Sequence, residues 1–193
     1  MSASAVIIFD LDGTITEPYI DFDAIRFEIG IASGTILEAL QEMDAPARKR
    51  AEEIVLRHEW EAARNGAIYD DAAEVLSKCR DGGLRPALLT RNSRPVVDFI
   101  LRRHSLGFDA IRTREDGAVK PSSVQVRSIL DELRGDATHA WMVGDYLYDI
   151  VAGEGAGCHT VLMVGCGGVP EYGGRAEFVI RRLSELPPIL GIR

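Results

Sequence analysis

The chain opens on a short run without a polar position, Val6-Ile7-Ile8-Phe9, cut off abruptly at Asp10. A continuous, β-branched apolar run of that length marks a strand covered on both faces, as in the interior of a parallel sheet. Comparable runs at Arg85–Leu89 ending in Thr90, Ala110–Arg112, Ala140–Val143 and Thr160–Val164 predict four more strands, with Phe178–Ile180 a sixth candidate. Between them the period changes to that of helices: Asp70–Arg80 with Gly82 placed to end it, Pro95–His104 with its proline in the first turn, and Ser122–Leu133 just after Pro121. Alternation of this kind predicts an α/β fold, a Rossmann-like parallel sheet with right-handed crossovers and helices on both faces. Ligands are then expected at the carboxyl ends of the strands.

Residues 17–68 break the alternation. They read as helices only, at Asp21–Ile29, Thr35–Met43 and a long charged stretch from Pro46 to Asn65 closed by Gly66. Because this segment is inserted directly after the first strand's loop, it is expected to be a small all-helical cap (17–68) on a core made of residues 1–16 and 69–193. Tyr19, Arg26, Arg57, His58 and Arg64 are its polar candidates for substrate contact, each with an ordinary surface role as the alternative; Phe27 and Trp60 are expected in its core. The glycine-rich stretch Gly165–Gly174 lacks the Lys-Ser/Thr ending of a phosphate-cradling loop and reads as a mobile connection. Arg181–Arg193, with Pro187 and Pro188, reads as a surface tail.

Composition narrows the partners. A net charge of −8 and too few clustered Lys and Arg argue against nucleic acid as a partner. A small phosphorylated metabolite remains compatible, because a local cation site can attract an anion against a negative global field. The three cysteines, Cys79, Cys158 and Cys166, show no paired zinc or redox spacing. No apolar run approaches the ~18 residues of a membrane span, and no basic segment precedes Val6–Phe9, so a cytoplasmic location without membrane association is expected. Oligomeric state is left open.

Four polar sites fall at predicted strand ends, and each supplies what phosphoryl transfer needs. Asp10 and Asp12 lie two apart at a strand exit, with Gly13 permitting a sharp turn, so both carboxylates can reach one pocket. One carboxylate can attack phosphorus to give an acyl phosphate, and the other can protonate the leaving alcohol and later take a proton from water. Thr90, followed by Arg91 and Asn92, offers hydroxyl, amide and cationic donors for phosphoryl oxygens. Lys120, before a helix, can neutralise charge around the nucleophile. Asp145 is a candidate Mg2+ ligand together with Asp10, and Asp149, four residues on, would hold a metal-bound water or orient Lys120. Singly, each site has a plainer reading: aspartates cap turns and helices, and a lone lysine is commonly a solvated surface residue. The argument rests on their coincidence.

Taken together, Phe9-Asp10-Leu11-Asp12-Gly13-Thr14, then Thr90, Lys120 and Gly144-Asp145 with Asp149 resemble, in order, the four motifs of the haloacid dehalogenase superfamily, and specifically its phosphatase branch. The resemblance covers Val6 to about Val164 and implies Mg2+ held by Asp10, the backbone carbonyl of Asp12 and Asp145, with Asp12 as acid/base. It implies a phosphoric monoester hydrolase acting on a small-molecule phosphate such as phosphoglycolate or a sugar phosphate, with a phosphomutase or, further off, a non-catalytic binding domain as alternatives. The aspartate two residues after the nucleophile separates the chain from the dehalogenases themselves. Two departures bear on substrate: the insertion is shorter than caps of phosphoglycolate phosphatases, and Arg91 stands where members similar to those enzymes carry Asn, which here follows as Asn92.

Overall fold

The structure, a computed structural model, describes residues 4–192. Six parallel strands, β1 (Ala5–Phe9), β2 (Leu84–Leu89), β3 (Ala110–Arg112), β4 (Trp141–Gly144), β5 (His159–Met163) and β6 (Phe178–Ile180), form one sheet in the order β3-β2-β1-β4-β5-β6. The position of β1 explains its composition. It is hydrogen-bonded on both edges and packed on both faces, and Val6, Ile7, Ile8 and Phe9 are fully buried. Below one face, Val6, Ile8, Ala87, Leu89 and Met142 pack with Val126, Ile129 and Leu133 of a crossover helix. The outermost strands β3 and β6 have only three residues each, and β6 exposes Phe178 and Val179.

Among the described residues the α-helices are, in chain order, α1 (Phe22–Ile29), α2 (Ile36–Glu42), α3 (Ala45–Asn65), α4 (Ala72–Asp81), α5 (Arg94–Arg103), α6 (Val124–Leu133), α7 (Leu147–Ala156) and α8 (Leu186–Ile189). The chain divides into two compact units: Tyr19–Gly66, and the remainder on either side of it. In the larger unit, Thr16 pairs with Ile68 and the Glu17 amide donates to the Ala67 carbonyl at 2.9 Å, so the strand of chain leaving it and the one returning run side by side.

In the smaller unit, Asp21 and Asp44 accept from the third amide beyond them, at 2.9 and 2.8 Å, and so start α1 and α3. Gly30, at φ 78°, ends α1 in the left-handed conformation that a side chain would resist. Ile25, Ile36, Leu40, Ala51 and Val55 make its core. The sequence-based placement of Phe27 in that core is wrong: its side chain is 87% exposed, because Ile25 and Ile29 already occupy the buried stripe of α1. Trp60 is half-buried beneath the Arg64 guanidinium, 5.2 Å from the ring centre.

The C-terminal residues also differ from expectation. Leu183 and Leu186 are fully buried, α8 packs against α4, and the Ser184 amide donates to Asp71 at 2.8 Å. The two prolines do not prevent this, because they occupy the first turn of a short helix, where no amide is needed.

Cys79 and Cys158 are buried, which pushes both thiols up to about 11, whereas Cys166 is exposed. Iodoacetamide at pH 8 is accordingly expected to add one label to the native protein and three after denaturation, counted by intact mass; two or three labels on the folded protein would contradict this burial.

Candidate active site

Register sets the site. Phe9 pairs with Leu88 on one side and Val143 on the other, so β1, β2 and β4 end level and the residues just beyond them share one edge. The Asp10 amide donates to Val143 at 2.9 Å and the Thr90 amide to Arg112 at 3.0 Å, which extends the ladder by one residue on each strand. Past Asp10 the chain folds back on itself: the amides of Thr14, Ile15 and Thr16 all donate to the Leu11 carbonyl, at 3.3, 2.9 and 2.9 Å. Gly13, at φ 85°, makes that turn, and a Cβ on it would lie 2.3 Å from Asp145 Oδ2.

Two groups of side chains result. In the first, Lys120 Nζ donates to Asp10 Oδ1 at 2.5 Å and to Asp149 Oδ1 at 2.6 Å, and Lys120 is 2% exposed. Asp149 Oδ2 accepts from the Tyr146 amide at 3.0 Å, which caps α7 and fixes the carboxylate. Asp145 completes the group: one carboxylate oxygen from each of Asp10, Asp145 and Asp149 lies within 4.8 Å of the others. Burial, then the other carboxylates, push Asp10 up to about 7 against the opposing pull of Lys120, and Asp145 is raised well above the usual range for the same two reasons. Burial works against the Lys120 charge, but Asp10 and Asp149 outweigh it and hold the ammonium above its ordinary range. Such a crowd of buried carboxylates with a single ammonium suits a divalent cation held by oxygen ligands. Asp149, already engaged by Lys120 and the Tyr146 amide, is placed to orient the lysine.

In the second group, the Asp12 carboxylate is turned to the β2 side. Asn92 Nδ2 donates to it at 3.1 and 3.4 Å, and the Thr90 side chain also hydrogen-bonds to it. Thr90 Oγ1 accepts from the Asn92 amide at 3.0 Å, and Asn92 Oδ1 from the Ser93 amide at 2.7 Å, so the loop after β2 is locked by its own side chains. Burial raises the Asp12 carboxyl, and the bonds from Asn92 and the charges of Lys120 and Arg114 only partly offset it. The arrangement keeps two neighbouring aspartates chemically distinct: both are raised by burial, but one is tied to an ammonium and the other to neutral donors.

Of the residues singled out from the sequence, Asp10, Asp12, Thr90, Asn92, Lys120, Asp145 and Asp149 are within these two groups. Arg91 is not; its guanidinium lies over the Tyr148 ring, 5.2 Å from the centroid. Sequence reasoning missed Asn92 as the partner of Asp12 and Arg114 as a second cation near it. Nothing in the spacing joins Arg114 to the end of β2, 25 residues earlier; only the pairing of β2 with β3 does so. The polar candidates of the inserted unit have local duties: Arg26 pairs with Asp23 at 2.6 Å, and Glu28 binds both Arg57 and His58, the latter at 2.8 Å.

Gly144 is a further constraint. A Cβ there would lie 2.1 Å from Asp149 Cγ, so Gly144→Ala must push Asp149 away from Lys120. The expected result is a loss of turnover of about 100-fold or less, with the far-ultraviolet circular dichroism unchanged, as for other residues that orient a catalytic group. Unaltered turnover would mean that the Asp149–Lys120 pair is not needed.

A model of the haloacid dehalogenase-like hydrolase family matches residues 5–157. A haloacid dehalogenase-like hydrolase domain-containing protein of Arabidopsis thaliana is 27% identical over 202 residues, covering 95% of this chain and 82% of its own. The pyrophosphatase PpaX of Bacillus velezensis is 28% identical over 132 residues, covering 65% of this chain and 60% of its own. In three dimensions, a hydrolase from Pseudomonas syringae superposes with a TM-score of 0.83 at 18% identity, covering 97% of this chain and 98% of that one. Among the described residues no helix is long and apolar enough to cross a membrane.

Proposed function

From the premise that the chain belongs to the haloacid dehalogenase-like hydrolase family, we infer that it is a Mg2+-dependent phosphatase that hydrolyses a small-molecule phosphate ester through a phosphorylated Asp10. The observation that carries this reading is the division of labour between Asp10, bonded to Lys120 at 2.5 Å, and Asp12, bonded to Asn92 at 3.1 Å. Burial raises the proton affinity of both, but the first carboxylate is bonded to a cation and the second to the neutral amide of Asn92. The pyrophosphatase named among the relatives is a phosphoryl-group hydrolase, which is consistent with the same class of reaction.

Asp10, Asp145 and the backbone carbonyl of Asp12 would hold Mg2+, which supplies charge neutralisation for the phosphoryl oxygens and the attacking carboxylate. The chain's own residues do the rest. Asp10 attacks phosphorus, and the bond from phosphorus to the leaving oxygen breaks as Asp12 passes its proton to that oxygen. Asp12, now ionised and steadied by Asn92 and Thr90, takes a proton from the water that attacks the acyl phosphate, which releases phosphate and regenerates both carboxyl groups. Lys120, held by Asp149, faces the charge that builds on the phosphoryl oxygens. The unit Tyr19–Gly66 is inserted into the chain shortly after Asp12 in sequence, which supports a role for it as a cap that excludes water and reads the leaving group.

The test is phosphate release from a broad panel of phosphate esters and anhydrides in Mg2+ and in EDTA. Release that is selective and abolished by EDTA is the expected result. Silence across the panel counts against the phosphatase reading, and turnover only with an added sugar bisphosphate would identify a mutase.

A further inference from the structure

In the sheet, β1 lies between β2 and β4, and its exit carries Asp10 and Asp12. Arg91 follows β2, and Tyr148 stands in the first turn of α7, after β4. Their contact, with the guanidinium carbon 5.2 Å from the ring centroid, therefore joins the two strands that flank β1 and spans the exit of β1 between them. Tyr148 is braced in turn. Tyr146 meets it edge-on at 5.1 Å and 78°, and Tyr172 meets Tyr146 at 6.0 Å and 76°. A second guanidinium reinforces the charge: Arg114 Nη1 donates to the Arg91 carbonyl at 3.5 Å.

We propose that Arg91, seated on Tyr148, is a specificity-determining residue that binds a second anionic group, a carboxylate or phosphate, on the leaving group of the substrate. The proposal rests on the phosphatase reading above. Asp12 is the group that serves the leaving oxygen, so cations gathered around Asp12 and across the exit of β1 stand where the leaving group must lie. Guanidinium suits this duty: stacked on a ring, its N–H groups lie in a plane of fixed orientation and match the two oxygens of an oxyanion, which a lysine ammonium does not do. In a chain of net charge −8, placing such charge at one lip of the site favours substrates that are themselves multiply anionic.

The experiment compares kcat/KM of the native enzyme, Arg91→Met and Arg91→Lys in Mg2+ on three probes: phosphoglycolate, whose leaving group carries a carboxylate; inorganic pyrophosphate, whose leaving group is phosphate; and glycerol 1-phosphate, whose leaving group is neutral. In Arg91→Met the ratio of kcat/KM for the charged probe over the neutral one is expected to fall at least about tenfold, chiefly through KM, with Arg91→Lys recovering part of it. The probe whose ratio collapses identifies carboxylate or phosphate as the group bound. If the ratios for both charged probes stay within about twofold while all rates fall together, Arg91 is a latch between strand ends and the inference is overturned, with the phosphatase reading intact. Absence of release from every member of the wider panel removes that reading, and this one with it.

Discussion

Asp10→Asn is expected to lower phosphate release to below about one ten-thousandth of the native rate, the scale seen when a covalent nucleophile is removed. Stability should move the other way. Asparagine keeps the shape of the protonated carboxyl but cannot ionise, and burial holds Asp10 at about 7, far above its unfolded value. Below the unfolded value the carboxyl is protonated in both states. As pH rises toward and past 7, the folded protein must surrender a proton that the unfolded chain gave up earlier, so metal-free native protein loses stability across that window. The variant escapes this term, while Lys120 retains Asp149 at 2.6 Å. In EDTA at pH 8 the variant is therefore expected to melt no lower than the native protein, and the advantage should shrink by pH 5.5. A loss of only tenfold in rate would point instead to direct attack by water and would remove the phosphorylated intermediate from the mechanism.

That contrast between one residue's two roles was partly readable beforehand. Asp10 and Asp12 stand out because a buried strand of purely apolar residues ends on them, and the order of Thr90, Lys120 and Asp145 at later strand ends is a one-dimensional trace of the sheet's carboxyl edge. Strand interiors are legible for the same reason: burial on both faces leaves no polar position to confuse the period. What could not be read is pairwise. Asn92 turns to Asp12 because β2 lies beside β1, and Arg91 reaches Tyr148 because β4 lies on the other side; both facts belong to strand order, not to either segment. Phe27 and the C-terminal leucines failed for a different reason. Hydrophobicity alone does not say which apolar residue takes the buried stripe of a short helix, and Pro187 and Pro188 looked like breakers only because the helix they begin is four residues long.

Lys120→Met is expected to be the most destabilising single change at the site, by about 3 to 5 kcal/mol at pH 8 without metal, the range for removing one partner of a buried ion pair. Methionine can fill much of the space of the lysine stem, so the loss is electrostatic. Lys120 is 2% exposed and binds Asp10 and Asp149, and with it gone Asp10, Asp145 and Asp149 stand within 4.8 Å of one another with no ammonium between them. Asp10 sits at about 7 even with the lysine in place, and removing the opposing charge can only raise it further. A carboxyl whose folded pKa lies above its unfolded one favours the folded state at low pH, and that contribution is lost as pH rises through the folded value. The deficit of the variant should accordingly be small at pH 5.5 and grow through pH 7 to 8. Mg2+ should restore more stability to the variant than to the native protein, because the cation takes over part of the neutralisation. Phosphate release should nevertheless stay at least about 100-fold below native, since Mg2+ does not replace the ammonium that faces the phosphoryl oxygens. Thermal melts of both proteins at pH 5.5 and 8, with EDTA and with Mg2+, test all of this together. A deficit that is the same at both pH values would mean that lost packing, not carboxylate crowding, is what Lys120 offsets.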